Sequence, residues 1–152
     1  MIGWLLDTNV LEEVRRPKGS RDVKEWASAQ AEDTVYLSVL TFGEYMKGIH
    51  KLADDDPKQA HHLSSLDAIK DRWEGRVLQV SEAVVLRWGE ISGRVRRDTG
   101  HPPPVIDTLF AATAVEHDLY LVTRNTKDVQ LSGAPLFNPW KDDPTAFPLA
   151  AR

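Results

Sequence analysis

Short apolar runs punctuate this chain, at residues 2–6, 34–40, 76–80 and 119–125, and a helix-like pattern or a loop follows each. The second, "TVYLSVL", is rich in β-branched and aromatic residues, as a strand requires. Strands alternating with helices build a parallel sheet, and such sheets need helices on both faces. The expected class is therefore α/β, with a fifth strand in "PLFNPW" (135–140) completing a sheet of about five. In folds of this kind chemistry gathers beyond the C-terminal ends of the strands. The residues that stand there are the ones to question.

The helices follow from apolar spacing. Val10, Leu11 and Val14 share a face over residues 8–15, and Ser20 is placed to cap a helix through Trp26. Tyr45, Ile49 and Leu52 align over 41–52. After the Asp54-Asp55-Asp56-Pro57 break, Leu63, Leu66, Ile69 and Trp73 align on a second helix, so these two read as an α-hairpin. Ser81 caps a helix carrying Val84, Trp88, Ile91 and Val95, and Pro102-Pro103-Pro104 forces an extended approach to a helix over 105–118. The organisation expected is one domain over 1–140 and a polar, Pro-containing tail over 141–152 that frays.

Composition narrows the chemistry. The 152 residues contain no cysteine, which excludes disulfides, thiolate zinc sites and thiol nucleophiles. No apolar run approaches the ~18 residues of a membrane span, so no membrane partner is expected and the cytoplasm is the expected location. A net charge of −4 is the wrong sign for holding nucleic acid by bulk electrostatics.

Acids stand at the strand ends. Asp7 closes the first run, Glu44 lies just past the second, Asp107 opens the helix after the prolines, and Asn125 and Asp128 follow the fourth. Each acid has a local explanation. Asp7 suits the positive end of a helix dipole, as does Asp107, and Thr41-Phe42-Gly43-Glu44 spells a capping box. A parallel sheet, however, brings them to one edge. Carboxylates so close raise one another's pKa, and a divalent cation removes that penalty. Oxygen ligands without cysteine or spaced histidines point to Mg²⁺ or Mn²⁺. Such ions support phosphodiester hydrolysis by activating water and stabilising charge on the attacking and leaving oxygens.

Four segments, "LLDTNVL", "LSVLTFGEYMKGI", "VIDTLFAATAVEHDLYLVTRNTKDV" and "LFNPW", together resemble the PIN-domain ribonuclease toxins of the VapC/FitB type, in the family's order and across nearly the whole chain. The resemblance implies a three-layer α/β/α sandwich, metal-dependent endonuclease activity on RNA and a homodimer. It also implies a small antitoxin partner, through which alone DNA is bound. Asp7, Glu44 and Asp107 match the family's three core acids, with Asp7 and Asp107 the principal Mg²⁺ ligands. Many relatives carry a fourth acid where this chain has Asn125, and Asp128 three residues on is the alternative. Thr8 and Asn9 are candidates to hydrogen-bond Asp7, and Thr108 to act beside Asp107; Thr8 is equally a candidate helix cap.

Other residues read more plainly. Arg94, Arg96 and Arg97 are either a solvated helix end or RNA contacts, with Arg15 and Arg16 equally ambiguous. The five histidines show no ligand spacing, and Trp26, Trp73 and Trp88 fall at core positions. Two rival functions stand beside the ribonuclease. A haloacid-dehalogenase-like phosphatase also starts with a strand ending in Asp, but needs a second acid where Asn9 stands. A non-enzymatic subunit of an antitoxin–DNA complex is the rival from another class.

Overall fold

The first apolar run becomes β1 (Gly3–Leu6), whose four residues are all buried. In the computed structural model, which describes residues 1–151, β1 is the middle strand of one parallel sheet. Its companions among the described residues are β2 (Val35–Ser38), β3 (Val77–Leu78), β4 (Leu119–Val122) and β5 (Leu136–Phe137), in the order β3-β2-β1-β4-β5. Leu5 sits opposite Tyr36 on one side and Leu121 on the other.

The crossovers explain that order. α1 (Thr8–Arg15) and α2 (Arg21–Ala29) lead to β2; α3 (Val39–His50) and α4 (Lys58–Arg72) lead to β3. α5 (Glu82–Thr99) and α6 (Val105–Glu116) then carry the chain back across the sheet to β4, and α7 (Thr126–Val129) precedes β5. The strand order thus reverses between β1 and β4, which is where an open α/β sheet leaves a crevice for ligands.

Side chains alternate across the sheet as the pleat demands. Trp4 and Leu6 join Val10, Leu11, Val23, Trp26 and Ile69 from α1, α2 and α4 on one face. Leu5, Leu119 and Leu121 join Phe110, Ala111 and Ala114 of α6 on the other. α5 lies against α6 through Val84, Ile91, Val95 and Ala112. This is the α/β/α sandwich expected, and α3 and α4 pack together as the α-hairpin expected. No helix among the described residues is long and apolar enough to cross a membrane.

Three features differ from the sequence reading. α3 begins at Val39, not after Thr41, because Ser38 Oγ accepts from the Leu40 N–H at 3.1 Å and ends β2 early. Thr41-x-x-Glu44 is therefore no capping box. The loop after β4 contains the short helix α7. The segment from Lys141 docks instead of fraying. Phe147 and Leu149 pack on the core beside Phe137 and Tyr120, and Ala150 N–H donates to Met1 O at 2.8 Å. Its two apolar anchors, spaced by proline, outweigh a polar composition.

Candidate active site

Asp7 sits at the switch between β1 and β4, and its two oxygens have separate partners. Oδ1 accepts the Thr8 N–H at 2.7 Å and so caps α1. Oδ2 accepts the Thr123 hydroxyl at 2.7 Å and the Asn9 side-chain amide at 3.1 Å. The cap is thus Asp7 itself, which frees Thr8. The Thr8 hydroxyl donates to Glu44 Oε1 at 2.7 Å and lies 3.0 Å from the hydroxyl of buried Thr41. Glu44 is held toward Asp7 by this bond across two crossovers.

Asp7, Glu44, Asp107 and Asn125 border one open cleft of about 290 Å³, with Thr8, Asn9, Glu12, Lys47 and Lys51 completing the wall. A larger cleft of about 470 Å³ lies elsewhere, among Leu11, Trp26 and Trp73, and is mainly apolar. It offers no comparable set of acids. The sheet topology thus brings together four of the five residues singled out from the sequence. The fifth, Asp128, borders a neighbouring cleft with Thr108 and Lys127. Its charge is nonetheless felt at Asp107.

The electrostatics reflect this crowding. Burial pushes the Asp7 carboxyl up to about 6; the Thr123 and Thr8 bonds oppose the rise, and Glu44 and Asp107 add to it. Asp107 is raised by burial, then by Asp128 and Glu44. Glu12 is raised by burial and by Glu44. Lys47 and Lys51 line the cleft, yet neither joins an ion pair among the described residues. Crowded, uncompensated oxygen donors of this kind fit a hard divalent cation. The acids border the cleft without closing into a cage: among the described residues, no three acid or histidine side chains converge tightly enough to enclose an ion.

Several expectations need correction or addition. The Thr108 hydroxyl donates to the O of Pro104, the residue before α6, at 2.6 Å, and no bond joins it to Asp107 among the described residues. Arg94 is tied to Ser132 O at 2.8 Å and Arg97 to Asp98, while Arg16 pairs with Glu13. Trp26 and Trp88 are packed in the core as expected. Sequence reasoning missed Thr123, which reads as an ordinary strand-end β-former, and Glu12, which reads as the polar face of α1. Asn9 donates to Asp7 where the phosphatase alternative needs an acid.

An open α/β sheet with acids gathered at its switch point defines a metal-assisted hydrolase type of site. The chain belongs to the PIN-domain family, whose model matches residues 4–131. It is 32% identical to Toxin FitB of Neisseria gonorrhoeae over 91% of this chain and 99% of that protein. The FitAcB crystal structure from the same organism superimposes with a TM-score of 0.77 at 31% identity, covering 90% of this chain and 98% of that one. VapC ribonuclease Y4jK of Sinorhizobium fredii is 29% identical, over 90% and 97% of the two chains. A toxin–antitoxin complex from Klebsiella pneumoniae matches with a TM-score of 0.63 at 26% identity, over 92% and 100%. PIN-domain ribonucleases are metal dependent as a class.

Proposed function

We propose that this chain is an endoribonuclease and the toxin of a toxin–antitoxin pair, hydrolysing RNA phosphodiester bonds at the Asp7 cleft. One observation carries the reading: Asp7, buried at the sheet's switch point, borders one cleft with Glu44 and Asp107. Family membership and the names of its relatives support it.

Mg²⁺ is the proposed ion, with Mn²⁺ able to replace it; such an ion activates water and stabilises charge on the attacking and leaving oxygens. Asp7 and Asp107 are the residues that would hold it, with Glu44 joining directly or through water. Thr123, Asn9 and Thr8 fix the orientation of the Asp7 carboxylate, the supporting role that ligating acids need. Glu44, fixed at Oε1 by Thr8, has Oε2 left either to reach the ion or, where it joins only through water, to take the proton that the attacking water releases. In-line attack with the 3′ oxygen leaving gives 5′-phosphate and 3′-hydroxyl ends. Asn125 borders the cleft and can orient water there, and Asp128 adds negative charge from behind Asp107.

A small antitoxin is the proposed partner, with DNA bound only through it, and a homodimer in the cytoplasm is the proposed form. The Klebsiella relative is solved as a toxin–antitoxin complex, which supports the partner. End-mapping of cellular RNA after induction tests the reading. New 5′-phosphate ends with the wild-type chain, absent with Asp7→Asn, are expected. Growth arrest without new RNA ends, or identical ends from both chains, would overturn it.

A further inference from the structure

Beside the acidic cleft lies a second open cleft of about 400 Å³, lined by Asn9, Glu12, Glu13, Arg16, Arg124 and Trp140. It shares Asn9 and Glu12 with the first, so this second trough adjoins the acidic cleft. Arg124 stands directly between Thr123, which binds Asp7, and Asn125, which borders the acidic cleft. Its guanidinium lies over the Trp140 ring at 5.0 Å.

The chain builds this pair deliberately. Asn138 is 4% exposed, and its Oδ1 accepts the Trp140 N–H at 3.0 Å while its own N–H donates to Asp142 Oδ2 at 2.7 Å. That turn leaves Trp140 half-buried at the trough, packed against the core behind it. The Trp140 ring lies against the exposed guanidinium and restricts where it can swing. Its charge is felt at Glu13 across the cleft, but among the described residues the Arg124 side chain donates no hydrogen bond and joins no ion pair. A guanidinium with a free N–H fork matches a phosphate group. In the acidic cleft itself, Lys47 and Lys51 join no ion pair among the described residues. Cations thus stand in and beside the acidic cleft, although the whole chain carries −4.

We propose that Arg124, oriented by Trp140, binds a backbone phosphate of the RNA that flanks the scissile bond. The inference rests on the ribonuclease reading and adds to it a phosphate-binding position in the trough beside the acidic cleft. Arg124 is a binding residue and Trp140 a positioning residue.

The test uses the full chain and a fluorescein-labelled 12-nucleotide oligouridylate. Affinity is measured in an Asp107→Asn background, cleavage without it. Arg124→Ala is expected to weaken binding and raise KM about tenfold with kcat little changed, and to lower the salt slope by about 0.7, one phosphate contact on a single strand. Trp140→Phe keeps most of the affinity, Trp140→Ala loses part of it, and Arg124→Lys recovers part. Arg21→Ala, which removes an exposed cation of α2 paired with Glu25, is without effect. The melting temperature of Arg124→Ala stays within about 2 °C, as for a surface change. Wild-type KM and salt slope in Arg124→Ala would overturn this inference alone. Failure of the wild type to cleave any RNA would overturn it together with the ribonuclease reading.

Discussion

Asp7 does two jobs with two oxygens. Oδ1 caps α1 and Oδ2 is gripped by Thr123 and Asn9, so the local and the chemical explanations of this acid are both right. Its raised pKa has a consequence for stability. An acid that titrates near 6 when folded and near 3.8 when unfolded binds more protons in the folded state between those values. Stability from this group therefore falls as pH rises through that window, by at most about 3 kcal/mol. In a chelator, the melting temperature of the wild type should drop relative to Asp7→Asn between pH 4 and 7; parallel curves would contradict the assignment. Thr123→Val removes a bond to the same carboxylate and should weaken activation by Mg²⁺ about 10–100-fold. An unchanged Mg²⁺ titration of cleavage would show that Thr123 is merely packed. The acids were legible because their chemistry requires their charge. Thr123 and Thr41 were not, because a hydroxyl at a strand or helix end has a cheaper local use, and only the fold reveals its distant partner.

At the scale of elements, the strand–helix rhythm carried most of the architecture. Its weak points were ends, where one hydrogen bond decides. Ser38, not Thr41, caps α3, and that single bond turns Thr41 inward to meet Thr8. Ser38→Ala should cost about 1 kcal/mol, a fall of roughly 2–4 °C in melting temperature. No change would restore the capping box. Gly3 is a sharper case. A Cβ there would lie 2.3 Å from Thr34 O, because β1 passes close to the turn that leads into β2. Gly3→Ala should destabilise by more than about 2 kcal/mol, since backbone must move on the central strand. A well-folded variant with wild-type stability would mean that β1 and the turn are less tightly joined.

At the scale of the molecule, the site is a product of topology. Asp7, Glu44 and Asp107 belong to three different crossovers, and only the reversal of strand order between β1 and β4 gathers them. The C-terminal segment closes the same structure from behind. Phe147 meets Phe137 and Tyr120 edge-on, and Ala150 is bonded to Met1. The polar composition of this segment concealed two apolar anchors, whose value depends on a pocket that the sequence does not display. The central claim is that the acids at this switch point cut RNA. Its most direct measurement is the rate at which the purified, partner-free chain cleaves a labelled RNA with Mg²⁺, beside the folded Asp7→Asn variant. The account predicts 5′-phosphate products and a loss of more than about 100-fold, beyond what losing a supporting hydrogen bond costs. Cleavage by Asp7→Asn at the wild-type rate would contradict it.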